Sequence, residues 1–456
     1  MSASNKGAKS NPLQVIGSTF VQGDILTKLS YIIMGLGPIA RKSFARGIGF
    51  LLAEVGFIYY MIAFGWQYLS KLTTLGTTQT YMDPNTFITT YGDNSFLILL
   101  FSVLSIILLV LFVLLWYLNI CENRKEEEYL REGRHIPTAK EDLASLLDGN
   151  FHITLLTLPM IGIFTFTVLP ILFMICIAFT NYDADHQAPS KLFTWVGFEN
   201  FINLFSFGGS GFGSTFFKLL GWTLIWAFFA TFLSYFLGMA VAILINKKGI
   251  KFKKLWRTIL VMTIAVPQFV SLLYISKMFA TDGLVNSYLM KWGIIQNAIP
   301  FWTNPTLAKI TIILLNCWVG IPYMMLIATG LLMNIPADMY ESARIDGATP
   351  FQMFIKITLP YMLFVTGPYL LTSFTGNLNN FNIIYLLSGG GPTSIELTGG
   401  AGTTDLLVTW LYKLTINSTN YRMAAVLGIV VFVVVAFLSL VVYGLLPSVK
   451  DEEGFQ

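Results

Sequence analysis

Eight runs of about 20 mostly apolar residues, each long enough to cross a bilayer, constrain this chain more than any other feature. They lie near 48–69, 97–118, 153–179, 219–245, 258–276, 310–333, 359–387 and 423–446. The second and the last, LILLFSVLSIILLVLFVLLWYL and MAAVLGIVVFVVVAFLSLVVYGLL, contain no charge at all. Composition agrees, since 55% of residues are hydrophobic and 11% charged, about half the charge of an ordinary soluble domain. The chain therefore reads as an all-α polytopic membrane protein with about eight transmembrane helices.

Lysine and arginine orient these spans. With the N-terminus inside, inner segments hold 20 of the 28 basic residues and outer segments hold 8. The clearest inner loops are ENRKEEEYLREGRH after span two and NKKGIKFKKLWR between spans four and five. This satisfies the positive-inside rule and places both termini in the cytoplasm. Met1 to Asp24 is polar, carries no apolar signal core, and is expected to be disordered. Ile25 to Arg46 reads as a basic interfacial helix. Outer segments 70–96 and 180–217 read as loops, the second with a short surface helix in FTWVGFENFINLF. Its GSGFG run lacks the strand of a dinucleotide-binding unit and carries no weight. The net charge of +4 follows from loop asymmetry and implies no nucleic acid. Three scattered cysteines and three scattered histidines offer neither a disulfide framework nor metal spacing. No phosphate-binding G-x-x-x-x-G-K-[ST] is present, and no cofactor is implied.

One loop stands out. Tyr340–Pro360 reads YESARIDGATPFQMFIKITLP, and the orientation above puts it in the cytoplasm. Pro336 opens a short helix, Gly347 closes it and Pro350 starts another. Glu341, Ala343, Asp346, Gly347 and Ala348, followed by Ile357, Leu359 and Pro360, form an E-x-A-x-x-x-G…I-x-L-P pattern. That pattern resembles the cytoplasmic coupling loop of ABC-importer permeases. NCWVGIPYMMLIATGLLMNIPADMYESA, SFTGNLNNFNIIYLLSGGGP, TDLLVTWLYK and YRMAAVLGIVVF are similar to the maltose/maltodextrin permeases, at least over 316–446.

The resemblance implies a type I ABC importer permease fold in its larger, eight-span form. Residues 1–47 would be a cytoplasmic tail and interfacial helix, and 48–150 two additional helices with a cytoplasmic linker. Residues 151–446 would be the six-helix core, with the coupling loop near 336–358, and 447–456 a cytoplasmic tail. It also implies partners: a second homologous permease, an ATPase homodimer, an extracellular sugar-binding lipoprotein, membrane lipid and an oligosaccharide substrate. This chain would be a transporter subunit and not an enzyme. Relatives with an outer membrane carry a folded domain after span three, where this chain has about 38 residues, so it resembles the Gram-positive type.

A sugar path needs hydroxyl-directed hydrogen bonds and aromatic faces. On one continuous helix, Ser373, Asn377 and Asn380 would share a face. Asn316, Gly320 and Tyr323 would do the same in span six. The resemblance places all six at the sugar cavity, with Gly376 standing where relatives carry a bulky aromatic. The alternative is that such Asn, Ser and Gly residues serve helix–helix contact. Gly367, Pro368 and Gly376 are the places where span seven should weaken. Glu54, the sole charge within span one, reads as a structural pair or a snorkelling group. The run Glu126–Glu128 reads as a solvated helix face. No carboxylate relay crosses the spans, which disfavours an ion-coupled carrier, and no nucleophile–base pair suggests a membrane enzyme.

Overall fold

The computed structural model describes residues 11–187, 191–207, 211–247 and 249–445. Expectations for residues 1–10, for the middle of the outer loop at 208–210 and for the tail 447–456 lie outside these. The chain divides into two compact units, Met1–Val196 and Gly197–Gln456.

In the first unit, α1 (Pro12–Gln22), α2 (Ile25–Leu29) and α3 (Leu36–Ala40) precede α4 (Phe44–Leu69). A two-residue hairpin, β1 (Tyr81–Met82) and β2 (Thr89–Thr90), leads to α5 (Ser95–Arg131). Then come α6 (Ala139–Leu147) and α7 (Phe151–Ile177). The expectation of disorder up to Asp24 is corrected for the described part of the tail. Asn11 caps α1 with its side chain, Pro12 sits at the first turn, and Asp24 caps α2, which satisfies amides that a frayed start would leave free. The basic segment from Ile25 to Arg46 is likewise two short helices, α2 and α3, and the start of α4, not one helix.

These turns are held against the C-terminal end of α5 by a buried ionic cluster. Arg41 Nη2 meets Asp24 Oδ1 at 2.8 Å and Thr27 Oγ1 at 2.7 Å, and Nη1 meets Asn123 Oδ1 at 3.0 Å. Glu127 Oε1 accepts from the Thr27 hydroxyl at 2.9 Å, and Glu126 lies 3.8 Å from Arg41. Glu126 and Glu127 are both buried. The reading of Glu126–Glu128 as a solvated face is therefore wrong at two of its three positions, because α1–α3 cover that face. Burial pushes the Asp24 carboxyl up, but the Thr27 amide and Arg41 outweigh it and hold the pKa at about 2. Glu54 accepts from the Met34 amide at 2.7 Å, the structural role expected of it.

In the second unit, α8 (Glu199–Phe205) is the expected surface helix and α9 (Phe212–Asn246) the first long span. After α10 (Lys253–Ala265) and α11 (Gln268–Met278) come the short α12 (Leu284–Lys291) and the long α13 (Pro305–Leu332). Then follow α14 (Ala337–Ile345), α15 (Pro350–Leu378), α16 (Phe381–Ser388), α17 (Leu407–Ile416) and α18 (Tyr421–Leu445). Among the described residues, seven helices are long and apolar enough to span a membrane, and the pair α10–α11 makes an eighth if counted as one span.

Two expected spans are broken. Span five bends by 93° between α10 and α11, where Pro267 removes an amide and pushes Val266 to extended backbone (φ −82°, ψ 128°). Span seven ends at Leu378 and restarts at Phe381, so 359–387 is not one helix. Its break falls at Asn379–Asn380, and not at Gly367–Pro368, which stays within continuous helix.

Arg41 offers a sharp test of the buried cluster. Arg41→Met should lower stability by about 3–5 kcal/mol, because buried Glu126 loses its ion-pair partner and Glu127 keeps only Arg131. Thermal unfolding of the purified protein should register a clear fall in Tm. Acidification should act on the same contacts. Asp24 contributes fully above its ordinary value of 3.8, and that contribution is lost as pH falls through about 2.

Candidate functional site: a polar belt and a capped turn

Two apolar clusters hold the second unit together. One joins Trp222, Trp226 and Ala230 of α9 to Leu272, Ile312 and Ile383. The other joins Tyr235 and Met239 of α9 to Met324, Met325, Met362 and Leu370. Between them, α9, α13 and α15 present polar or small residues to one another. On α9 the gap falls at Thr231–Ser234, within a π-helical turn at Phe229–Leu233 and the residue after it. A π turn leaves carbonyls without their usual helical partner, and such turns are frequent at functional sites.

Asn316, buried on α13, fills that need: its Nδ2 donates to Ala230 O at 3.3 Å and lies 3.5 Å from Ser234 Oγ. One turn on, Gly320 faces the same serine. A Cβ built there would lie 2.8 Å from Ser234 Oγ and 3.0 Å from its Cβ, so the glycine permits the close approach of α9 and α13. From α15, Asn377 Nδ2 donates to Thr231 Oγ1 at 2.9 Å. Its carbonyl, one of the last in a helix that ends at Leu378, accepts from Trp226 Nε1 at 3.1 Å. Asn380 caps α16, accepting from the Ile383 amide at 3.2 Å, while its Nδ2 donates to Asn377 Oδ1 at 3.2 Å.

Asn316, Gly320, Asn377 and Asn380 are thus brought together with Thr231 and Ser234, which the sequence analysis did not single out. Asn380 does not share a helix with Ser373 and Asn377, because the helix stops before it. Tyr323 is 51% exposed, with its ring 6.2 Å from Tyr369. Ser373 pairs with Tyr369, and nothing lies within 4 Å of a Cβ placed on Gly376. Tyr323 and Gly376 are therefore the exposed members of the expected site, while Ser373 is half-buried. A separate hollow of about 510 Å³ opens beside the α10–α11 bend, lined by Tyr274, Trp318 and aliphatic side chains. None of the seven expected residues lines it. The aromatic content beside the Val266–Pro267 break was the signal for it.

The turn at Gly347 is built as its residues dictate. Gly347 has φ +79°, the Gly347 amide donates to Arg344 O at 3.1 Å, and the Ala348 amide donates to Ala343 O at 2.9 Å. This pair of bonds is the Schellman closure, which needs a left-handed residue after the helix. Thr349 and Gln352 then cap the next helix reciprocally, with Pro350 in its first turn. Glu341 and Asp346 are exposed on α14, as is Ile345, at 87%. On its other side, Tyr340 Oη meets Thr358 Oγ1 at 2.9 Å.

A bundle of apolar helices with an uncharged polar belt and an exposed capped turn defines a membrane permease, and comparison with known proteins agrees. Residues 234–450 match the family described as binding-protein-dependent transport system inner membrane component. The chain belongs to this family and is a multi-pass permease subunit of an ABC importer, not an enzyme. It is 36% identical over 433 residues to the maltodextrin transport system permease protein MalC of Streptococcus pneumoniae, covering 92% of this chain and 96% of MalC. It is equally 36% identical over 427 residues to the galactooligosaccharides transport system permease protein GanP of Bacillus subtilis, covering 92% and 97%. A chain of a bacterial ABC transporter involved in the import of the acidic polysaccharide alginate shares the fold. That match has a TM-score of 0.54 at 24% identity and covers 66% of this chain and 97% of that one.

The turn yields a graded prediction. Open space surrounds Gly347, so a substitution there strains only the backbone. Gly347→Val should disrupt the closure and Gly347→Asn should largely preserve it, since asparagine tolerates the left-handed region. Hydrogen exchange at the Ala348 amide should rise in the first variant and stay near wild type in the second.

Proposed function

We propose that this subunit carries malto-oligosaccharides across the plasma membrane by alternating access, driven by ATP hydrolysis on partner subunits. The observation that carries the proposal is the near full-length similarity to MalC. The belt supports a neutral, hydroxyl-rich cargo, because it offers amides, hydroxyls and tyrosine rings without a charged side chain among the described residues just named. Tyr323 and Ser373, with the open surface at Gly376, would meet the sugar. Asn316, Gly320, Asn377 and Asn380 would shape the belt and expose polar edges when the helices part. Glu341, Ala343, Asp346, Gly347 and Ala348 would form the docking turn for an ATPase dimer. A second homologous permease and an extracellular binding lipoprotein would complete the assembly. Basic loops at 119–150 and 246–257 support cytoplasmic termini.

A second reading, import of galacto-oligosaccharides, is favoured by the equal identity to GanP. The assembled transporter, reconstituted with its binding protein, distinguishes the two. Malto-oligosaccharides should stimulate ATP hydrolysis and uptake, and galacto-oligosaccharides should not. The reverse order would establish the second reading.

Tyr323→Ala should raise the sugar concentration for half-maximal uptake about fivefold with the complex intact, the effect of losing roughly 1 kcal/mol of contact. Asn316→Ala should instead reduce the yield of assembled complex, since it strips the Ala230 carbonyl of its partner. Unaltered uptake by an assembled Tyr323→Ala transporter would remove this residue from the path.

A further inference from the structure

Behind the cytoplasmic turn lies a cavity of about 620 Å³ that the transport reading does not use. Its floor is apolar, formed by Ile243 and Leu244 of α9, Leu332 of α13, and Met353 and Phe354 of α15. Its rim carries Asn246, Lys247 and Arg344. Tyr340 and Arg344 stand at i and i+4 and line it together, so the cavity takes the side of α14 opposite to exposed Ile345. The Tyr340–Thr358 hydrogen bond closes one wall.

The electrostatics are one-sided. Asn246 receives Lys253 Nζ on its carbonyl at 2.9 Å and Arg257 on its side-chain oxygen. Two further cations therefore stand at the edge that Lys247 and Arg344 already line. Among the described residues, no carboxylate lines the cavity, and none of these four cations is in an ion pair. Like charges held together without a counter-charge favour an anion. The apolar floor adds a second requirement, because a small free anion has no use for it. Cationic rim and aliphatic floor at the end of membrane helices match an amphiphile whose charged head lies at the interface.

We propose that this cavity seats an anionic phospholipid, its phosphate between Lys247 and Arg344 and its upper acyl carbons on Leu244, Leu332 and Phe354. An occupant there would brace α14 against the ends of α9, α13 and α15. The transporter's response to its lipid would then act through the turn that Gly347 closes.

The test uses the complete transporter, purified and challenged with phosphatidylglycerol or phosphatidylcholine, with retained lipid counted by native mass spectrometry. Phosphatidylglycerol should be retained, and Lys247→Gln should reduce its retention about fivefold. Lys247→Arg should restore it. Leu332→Trp, which fills the floor without altering charge, should also expel it, so the proposal does not depend on one variant. Excess inorganic phosphate should leave the lipid in place. Equal retention of phosphatidylcholine, undiminished retention in Lys247→Gln, or complete displacement by inorganic phosphate would overturn the proposal, the last by showing a free-anion site. The readout is binding, so failure of every oligosaccharide to be transported would count against the sugar reading alone.

Discussion

Hydrocarbon offers no partner to a free backbone carbonyl, and the second unit is arranged around the places where its helices leave carbonyls free. The π turn in α9 is answered by Asn316, which reaches Ala230 O from α13. Near the end of α15, Asn377 O accepts from the Trp226 indole as well as from the Asn380 amide. Each departure from regular helix is bridged by a side chain from another helix, so each is also a point of interhelical attachment. Three helices are tied at one level by groups that a regular bundle would not need.

That level is where apolar packing stops. Below and above it, tryptophan, isoleucine and methionine side chains fill the space between α9, α13 and α15. At the belt the filling is replaced by Thr231, Ser234, Asn316, Gly320 and Asn377. Hydrogen bonds among neutral groups in membrane interiors contribute modestly, about 0.6 kcal/mol on average and under 2 at most. A seam built from them can therefore exchange partners at lower cost than a methionine cluster can be opened. A permease that alternates between two packings needs such a seam, and a polyhydroxylated cargo presents the same donors and acceptors that the helices present to one another.

The existence of the spans, and the turn at Gly347 almost residue by residue, could be read from the chain. Runs such as LILLFSVLSIILLVLFVLLWYL admit only one solution, and the Gly347, Thr349 and Pro350 signals act within a few residues of themselves. What could not be read depends on contacts distant in sequence. Glu126 and Glu127 look like a solvated face until Arg41, some 85 residues earlier, is folded over them. Span seven carries its Gly-Pro pair inside an unbroken helix and breaks at two asparagines. Pro368 falls in continuous helix, while Asn380 finds a capping role and a partner in Asn377. The alternation of Ser373, Asn377 and Asn380 was real as spacing, but it described a face of a helix that ends before its third member. Ser234 had no feature marking it as the group opposite Gly320.

The last consequence concerns how the turn and the belt communicate. Helix α15 begins at Pro350, immediately after the turn, and ends at Leu378, beside Asn377. At about 1.5 Å per residue it spans roughly 40 Å. Near its N-terminal end Thr358 holds Tyr340 of α14, and at its far end Asn377 holds Thr231 and Asn380. Side-chain hydrogen bonds therefore hold the helix at both ends, in addition to the apolar packing of Met362 and Leu370 along its middle. The π turn at Phe354–Thr358 lies just inside the first tie, where an added residue lets the helix change register locally without breaking. A force applied at the Gly347 turn thus reaches the polar belt along one continuous element. The belt, bound by its weakest contacts at that point, is where the force would be spent.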